Sequence, residues 1–155
     1  LKAFALGKRT GRKDVWKDLA LVITGKKDPH YPEVLETIKK LGLEKDVVCP
    51  GLVPFEDLVG LYRGAEAYVF PSFYEGFGIP PLEAMSVGTP VVASNVSSIP
   101  EVCEKSAFYF DPYSVESMYR GIEEVLSSER IREKLIENGK TRIKFFSWKK
   151  CAKET

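Results

Sequence analysis

The sequence predicts an α/β fold, a Rossmann-like doubly wound parallel sheet with helices on both faces. Five short apolar runs rich in β-branched residues recur along the chain, each continuous rather than alternating, as strands buried on both faces read. Segments of helical period separate these runs, so strand and helix alternate, and such an order folds as a parallel sheet with helical crossovers. Gly42 and Gly88 fall where helix C-termini favour a left-handed residue.

In chain order, Leu1, Phe4 and Ala5 lie at helical spacing with no strand before them. The chain is therefore expected to open inside a helix, with the first strand of the fold lying upstream. The strands follow as "LALVITG" (19–25), "DVVCPG" (46–51), "AYVFPS" (67–72), "TPVVASN" (89–95) and "AFYFDP" (107–112). Helices are expected over "PEVLETIKKLG" (32–42), "EDLVGLYRGA" (56–65), "PPLEAMSVG" (80–88) and the brief "IPEVCE" (99–104). After the last strand come helices over 115–128 and 129–146, and Ser147 is the expected N-cap of a short final helix. Without repeat, linker or low-complexity tract, residues 1–155 read as one domain.

Composition bounds the function classes. The chain has 155 residues, 44% hydrophobic and 29% charged, which describes a soluble globular chain rather than a disordered one. Lys and Arg number 23 against 22 acids, and a net charge of +1 leaves no basic footprint for nucleic acid. No apolar run approaches the length of a membrane span, and no signal-peptide pattern opens the chain. Cys49, Cys103 and Cys151 are odd in number and widely spaced, so they read as reduced thiols of a cytoplasmic protein rather than metal ligands. His30, the only histidine, sits between Pro29 and Tyr31 and reads as a loop residue.

The chemistry concentrates in "FYEGFGIPPLEAM" (73–85). This stretch leaves the C-terminal end of a strand, where open parallel sheets bind ligands. Gly76 and Gly78 allow unusual dihedrals and close approach of a ligand to the backbone. Pro80 and Pro81 suit the first turn of a helix, which makes the amides of Leu82 and Glu83 the first expected donors for an anion at the positive helix end. A phosphate beside a carboxylate is compatible only if Glu83 turns toward hydroxyls. A nucleotide sugar meets all of these demands: its diphosphate takes the helix end, its ribose diol takes Glu83, and its sugar hydroxyls take Glu75. The alternative is that Glu83 only complements the helix dipole, worth a few tenths of a kcal/mol, and that Glu75 is a solvated loop acid.

"EGFGIPPLEAMSVGTPVVAS" resembles the E-x7-E signature of retaining glycosyltransferases of the two-domain GT-B fold, family 4. "LVITG", "VVCPGLVPFEDLVGLYRGAEAYVFPS", "SSIPEV" and "FFSW" match in the same order, over nearly the whole chain. The resemblance implies the C-terminal half of such an enzyme, which binds the donor, with an acceptor-binding N-terminal domain outside this segment. It implies that Glu75, the residue placed at the reaction centre, orients the transferred sugar, and that Gly76, Phe77, Gly78 and Ile79 line the donor loop. Leu82 would donate to the diphosphate, Glu83 would hold the ribose, and Val53 would face the base with Gly25 in the same cleft, though a glycine after a strand is as readily a plain turn. The donor implied is a GDP- or UDP-hexose, with GDP-mannose the first choice, and the acceptor a glycan or a lipid-linked sugar. Neither cofactor nor metal is expected.

The family's basic pair, which neutralises the leaving diphosphate, would lie just before Leu1. Lys26 and Lys27 are weighed as substitutes, and "KRTGRK" (8–13) as a contact for anionic lipid at the inner membrane face. Solvated loops are the simpler account of both. Three rival readings are set beside this one. A glycosidase needs two carboxyls flanking one bond, and the place of Glu83 at a helix start argues against it. A receiver-type regulatory module needs an aspartate ending its third strand, and "AYVFPS" ends in no such acid. A sugar-nucleotide epimerase shares the fold.

Overall fold

The computed structural model describes residues 1–147, 149, 151 and 152. By its internal contacts the chain divides into two compact units, Leu1–Gly60 and Leu61–Thr155.

The first unit holds α1 (Lys2–Thr10), α2 (Lys13–Trp16), β1 (Leu21–Thr24), α3 (Tyr31–Lys40) and β2 (Val47–Gly51). The division falls within α4 (Phe55–Gly64). β1 and β2 are parallel, with Leu21 opposite Val47, Val22 opposite Val48 and Thr24 opposite Gly51. Two residues of β2, Cys49 and Pro50, thus oppose Ile23 alone. This bulge coincides with Pro50, which has no N–H for the ladder.

Trp16 anchors this unit at 1% exposure, with its ring 5.8 Å from that of Phe4. It lies so close to α1 that a Cβ built on Gly7 would stand 2.3 Å from the indole. Lys8 secures the turn after α2, which the sequence pattern does not announce. Its ammonium donates to the carbonyls of Trp16, Lys17 and Leu19 and pairs with Asp46 at 2.6 Å.

The second unit holds β3 (Tyr68–Phe70), α5 (Ile79–Ser86), β4 (Val91–Ser94), α6 (Ile99–Cys103), β5 (Ala107–Phe110), α7 (Val115–Ser127) and α8 (Glu129–Arg142). Its sheet has the order β3-β4-β5, all parallel and in unbroken register. Every residue of β4 is buried, so both faces of the central strand are covered. The core gathers Phe70, Ala84, Met85, Val91, Ala93, Ile99, Val102, Cys103 and Ala107. Ser114 and Ser128 cap α7 and α8, each hydroxyl accepting the amide three residues on. Arg142 closes the other end of α6, donating to the carbonyls of Glu101 and Val102 at 2.8 Å and pairing with Glu104 at 2.7 Å.

The α/β class with parallel strands and helical crossovers is therefore found, with three departures from the sequence reading. The strands hydrogen-bond as a two-stranded and a three-stranded sheet rather than as one sheet of five. Burial on both faces holds for β4 but not for β1 and β2, which alternate; Val22 and Val48 are 44% and 52% exposed. Continuous apolar runs signal strands well, yet a two-stranded sheet here covers only one of its faces. α8 also stops at Arg142, followed by a 3₁₀ turn over Ile143–Phe145 rather than by helix to 146. The final helix expected after Ser147 falls largely outside the described residues. Gly42 and Gly88 do take left-handed φ values of 68° and 86°.

Two expected outcomes follow from this packing. Gly7→Ala should expel the Trp16 ring and cost ~2–3 kcal/mol or more of stability; an unchanged urea midpoint would contradict the contact. The second concerns Tyr62, Tyr68 and Tyr109, which pack against the core. Burial, with a contribution from the Glu83 carboxylate, pushes the Tyr62 hydroxyl up to about 12, and burial is also the main cause raising Tyr68 and Tyr109. A phenol raised in the folded chain stays protonated after its unfolded counterpart ionises. Stability should be fully present below the ordinary tyrosine value of 10.0 and fall as pH rises from there through about 12. Melting temperatures taken from pH 8 to 11.5 should be level and then decline; a level profile throughout would contradict this burial.

Candidate functional site

The segment from Pro71 to Gly78 leaves the C-terminal end of β3 and enters α5. Gly78 is buried at φ 102° and ψ 59°, a conformation an L side chain resists, and serves as the N-cap. Gly76 does not share this requirement: its φ is not positive, and a Cβ there would meet nothing. α5 begins at Ile79, one residue before the expected start, with Pro80 and Pro81 next. The i→i−4 ladder assigns the Leu82 N–H to the Gly78 carbonyl. The amides ahead of the ladder are consequently those of Gly78 and Ile79, since the two prolines have none. Leu82 itself is half-buried against the core.

Glu83 and Glu75 are both half-buried, and each is held by a hydroxyl. The Tyr62 Oη donates to Glu83 Oε2 at 3.2 Å. The Tyr62 ring in turn stands edge-on to Tyr68 at 5.1 Å, and its carbonyl accepts from Thr89 Oγ1 at 2.6 Å. Because burial keeps Tyr62 protonated far beyond neutral pH, it remains a donor to the carboxylate. One oxygen of Glu83 is thus occupied. On the other side of the turn, Ser72 Oγ donates to Glu75 Oε1 at 2.7 Å. The Glu75 backbone meets the loop after β4, where Ser97 Oγ accepts its N–H at 3.1 Å and donates to its carbonyl at 2.7 Å. Ser98 Oγ lies 2.9 Å from the same carbonyl and 3.0 Å from that of Phe77. The Phe77 ring, 46% exposed, meets Phe146 edge-on at 5.7 Å. Sequence reading missed Tyr62, Ser72, Ser97 and Ser98 as supports. Their only signal is position, at or near the C-terminal ends of a helix and two strands.

The second unit thus holds Glu75, Gly76, Phe77, Gly78, Ile79, Leu82 and Glu83 on one loop and the helix it enters. Gly25 and Val53 belong to the first unit. There the Gly25 N–H donates to the Gly51 carbonyl at 3.0 Å, joining the C-terminal ends of β1 and β2 just ahead of the half-buried Val53. Lys26 and Lys27 are exposed, and the Lys27 ammonium lies 5.3 Å from the Tyr31 ring centroid. The basic stretch 8–13 is partly committed to the fold, with Lys8 on three carbonyls and Asp46 and Arg12 on Asp14. His30 is exposed beside Glu33. Cys49 and Cys103 are in no disulfide, and burial pushes the Cys103 thiol up to about 11. Among the described residues, no group of three or more His, Cys, Asp or Glu is placed to hold a metal ion, and no helix is long and apolar enough to cross a membrane.

Against known proteins, residues 1–142 match the profile of the family described as "Glycosyl transferases group 1". O-antigen chain mannosyltransferase B of Escherichia coli is 47% identical over 105 residues, 68% of this chain and 28% of that protein. The MMP alpha-(1->4)-mannosyltransferase of Mycolicibacterium hassiacum is 34% identical over 148 residues, 93% of this chain and 36% of that protein. The chain thus spans about a third of the length of these relatives. Among solved structures, sucrose-phosphate synthase from Thermosynechococcus elongatus superposes with a TM-score of 0.79 at 27% identity, covering 86% of this chain and 36% of that one. A match over residues 1–142, together with this likeness of architecture, makes the chain a member of the group 1 glycosyl transferases, with the α/β build of GT-B enzymes.

Proposed function

We propose that this chain binds the sugar nucleotide of a retaining hexosyltransferase, with mannose as the sugar transferred and a glycan or lipid-linked sugar as the acceptor. The observation that carries the reading is the pair of glutamates on either side of the α5 N-terminus, each held by a hydroxyl: Glu83 by Tyr62 of α4, Glu75 by Ser72 of its own loop. The diphosphate sits at the helix end, where the Gly78 and Ile79 amides and the helix dipole meet its charge. Leu82 borders it from the first turn. Glu83, with Oε2 on Tyr62, offers Oε1 to the ribose diol. Glu75, with Oε1 on Ser72, offers its second oxygen to the sugar hydroxyls. The mannosyltransferases among its relatives favour mannose, and GDP and UDP are both candidates for the nucleotide.

In the reaction the bond between the anomeric carbon and the diphosphate oxygen breaks, and the acceptor hydroxyl enters on the same face. The departing phosphate oxygen takes the acceptor's proton, so no enzymic nucleophile and no metal is required. Catalysis rests on stabilising the charge of the leaving group and on holding both reactants in line. Glu75 orients the donor and is not the general base. The setting is the cytoplasm, with any contact at the inner membrane face left to residues other than Lys8 and Arg12.

The test separates the two glutamates by ligand. Glu83→Ala should weaken the free nucleoside diphosphate and its hexose conjugate alike, by ~1.5–3 kcal/mol for a charge-assisted bond. Glu75→Ala should weaken the conjugate alone. Calorimetric titration with GDP, GDP-mannose, UDP and UDP-glucose measures both, and equal losses for both ligands in both variants would sink the assignment.

A further inference from the structure

Ser97 has a φ of 59°, a left-handed conformation uncommon for any residue but glycine and strained for a side chain that gains nothing from it. The other described non-glycine residue at positive φ is Glu104, at 46°. Its strain has a local account, because its carboxylate pairs with Arg142 and its carbonyl accepts the Tyr109 hydroxyl. Ser97 has no such tie to its own surroundings. Its hydroxyl makes two bonds, and both are to the backbone of Glu75, one accepted and one donated. Ser98 adds a hydroxyl to the same Glu75 carbonyl and to that of Phe77.

The loop carrying Glu75 needs such outside help. Among the described residues, none of the turn, cap or loop bonds between backbone groups involves residues 71–77. Its shape is set by serines, two from the β4–α6 turn on its backbone and Ser72 on its carboxylate. Glycine would adopt the Ser97 conformation without strain but would leave the Glu75 amide and carbonyl without that partner.

We propose that Ser97 is a positioning residue for donor-sugar recognition: its left-handed turn fixes the Glu75 backbone and thereby aims the Glu75 carboxylate at the sugar. The proposal rests on Glu75 being the sugar contact. Ser97 itself touches neither the sugar nor the diphosphate. It raises the affinity for the sugar conjugate relative to the free nucleotide and leaves the nucleotide's own affinity alone.

The experiment compares Ser97→Gly, Ser97→Ala and Glu75→Ala in the full chain. Each variant is melted, then titrated with GDP and GDP-mannose and with UDP and UDP-glucose, and the conjugate-to-nucleotide affinity ratio is taken. Ser97→Gly is expected to melt at or above the parent, to keep nucleotide affinity within about twofold, and to lose about five- to tenfold of the ratio, as expected for one or two neutral hydrogen bonds. Ser97→Ala keeps the strain without the bonds, so it should melt lower and lose the same ratio. A residue with only a structural role would move the melting temperature and leave the ratio unchanged. If Ser97→Gly keeps the parental ratio while Glu75→Ala loses it, the positioning role is overturned and the sugar contact stands. If Glu75→Ala also keeps the ratio, or the parent prefers neither conjugate, both are overturned.

Discussion

The parallel ladder of β3, β4 and β5 is the constraint on which the candidate site depends. Parallel strands bring all their C-terminal ends to one edge of the sheet, and crossovers through α5 and α6 return the chain to the opposite edge each time. The loop after β3 and the loop after β4 are therefore neighbours, although Glu75 and Ser97 are 22 residues apart. The unbroken register, from Tyr68 opposite Val91 to Phe70 opposite Ala93, fixes how far each strand reaches before its loop begins. Ser94 secures that end from within: its buried hydroxyl donates to the Phe70 carbonyl at 3.1 Å, at the last residue of β3. A slip in this register would separate the serines from Glu75 and turn each buried side chain of β4 to the other face.

The same sheet explains why the acids sit where a bland helix start would otherwise do. α5 is packed by Pro81, Ala84 and Met85 on its buried face, so its orientation is set by the core and not by the ligand. With that face committed, Glu83 emerges beside Tyr62, whose ring is wedged against Tyr68. Half-burial at Glu83 would be costly for an unpaired carboxylate, and the neutral tyrosine hydroxyl offsets part of that cost without removing the charge. Glu75 is treated in the same way by Ser72. Each acid has one oxygen engaged by a hydroxyl, an arrangement suited to accepting further hydrogen bonds from the hydroxyls of a ligand.

Much was legible in the sequence. The five strands appear within the apolar runs assigned to them, the crossovers are helical, and Gly42, Gly78 and Gly88 adopt the left-handed values that their places in the pattern suggest. The stretch 73–85 stood out as a candidate site because glycine, proline and paired acids conflict with simple core or surface duty. The start of α5 was read one residue late. Proline at the first or second helical position satisfies the same rule, and only the backbone distinguishes the two. The short helix over Lys13–Trp16 was unreadable for a similar reason: four residues carry no measurable period.

By itself, the sequence determined the class of fold and the order of its elements and singled out the two glutamates as candidates, because periodicity, turn chemistry and a charged motif are local properties. Tertiary structure decided everything that required two distant segments to meet. It placed Tyr62 on Glu83, Ser97 and Ser98 on Glu75, and Lys8 on the turn after Trp16. Nothing in a lone serine at position 97 reveals a positive φ or a partner 22 residues away. Those facts arise from strand register and loop length, which hydrogen bonding across the folded sheet sets and a linear pattern does not contain.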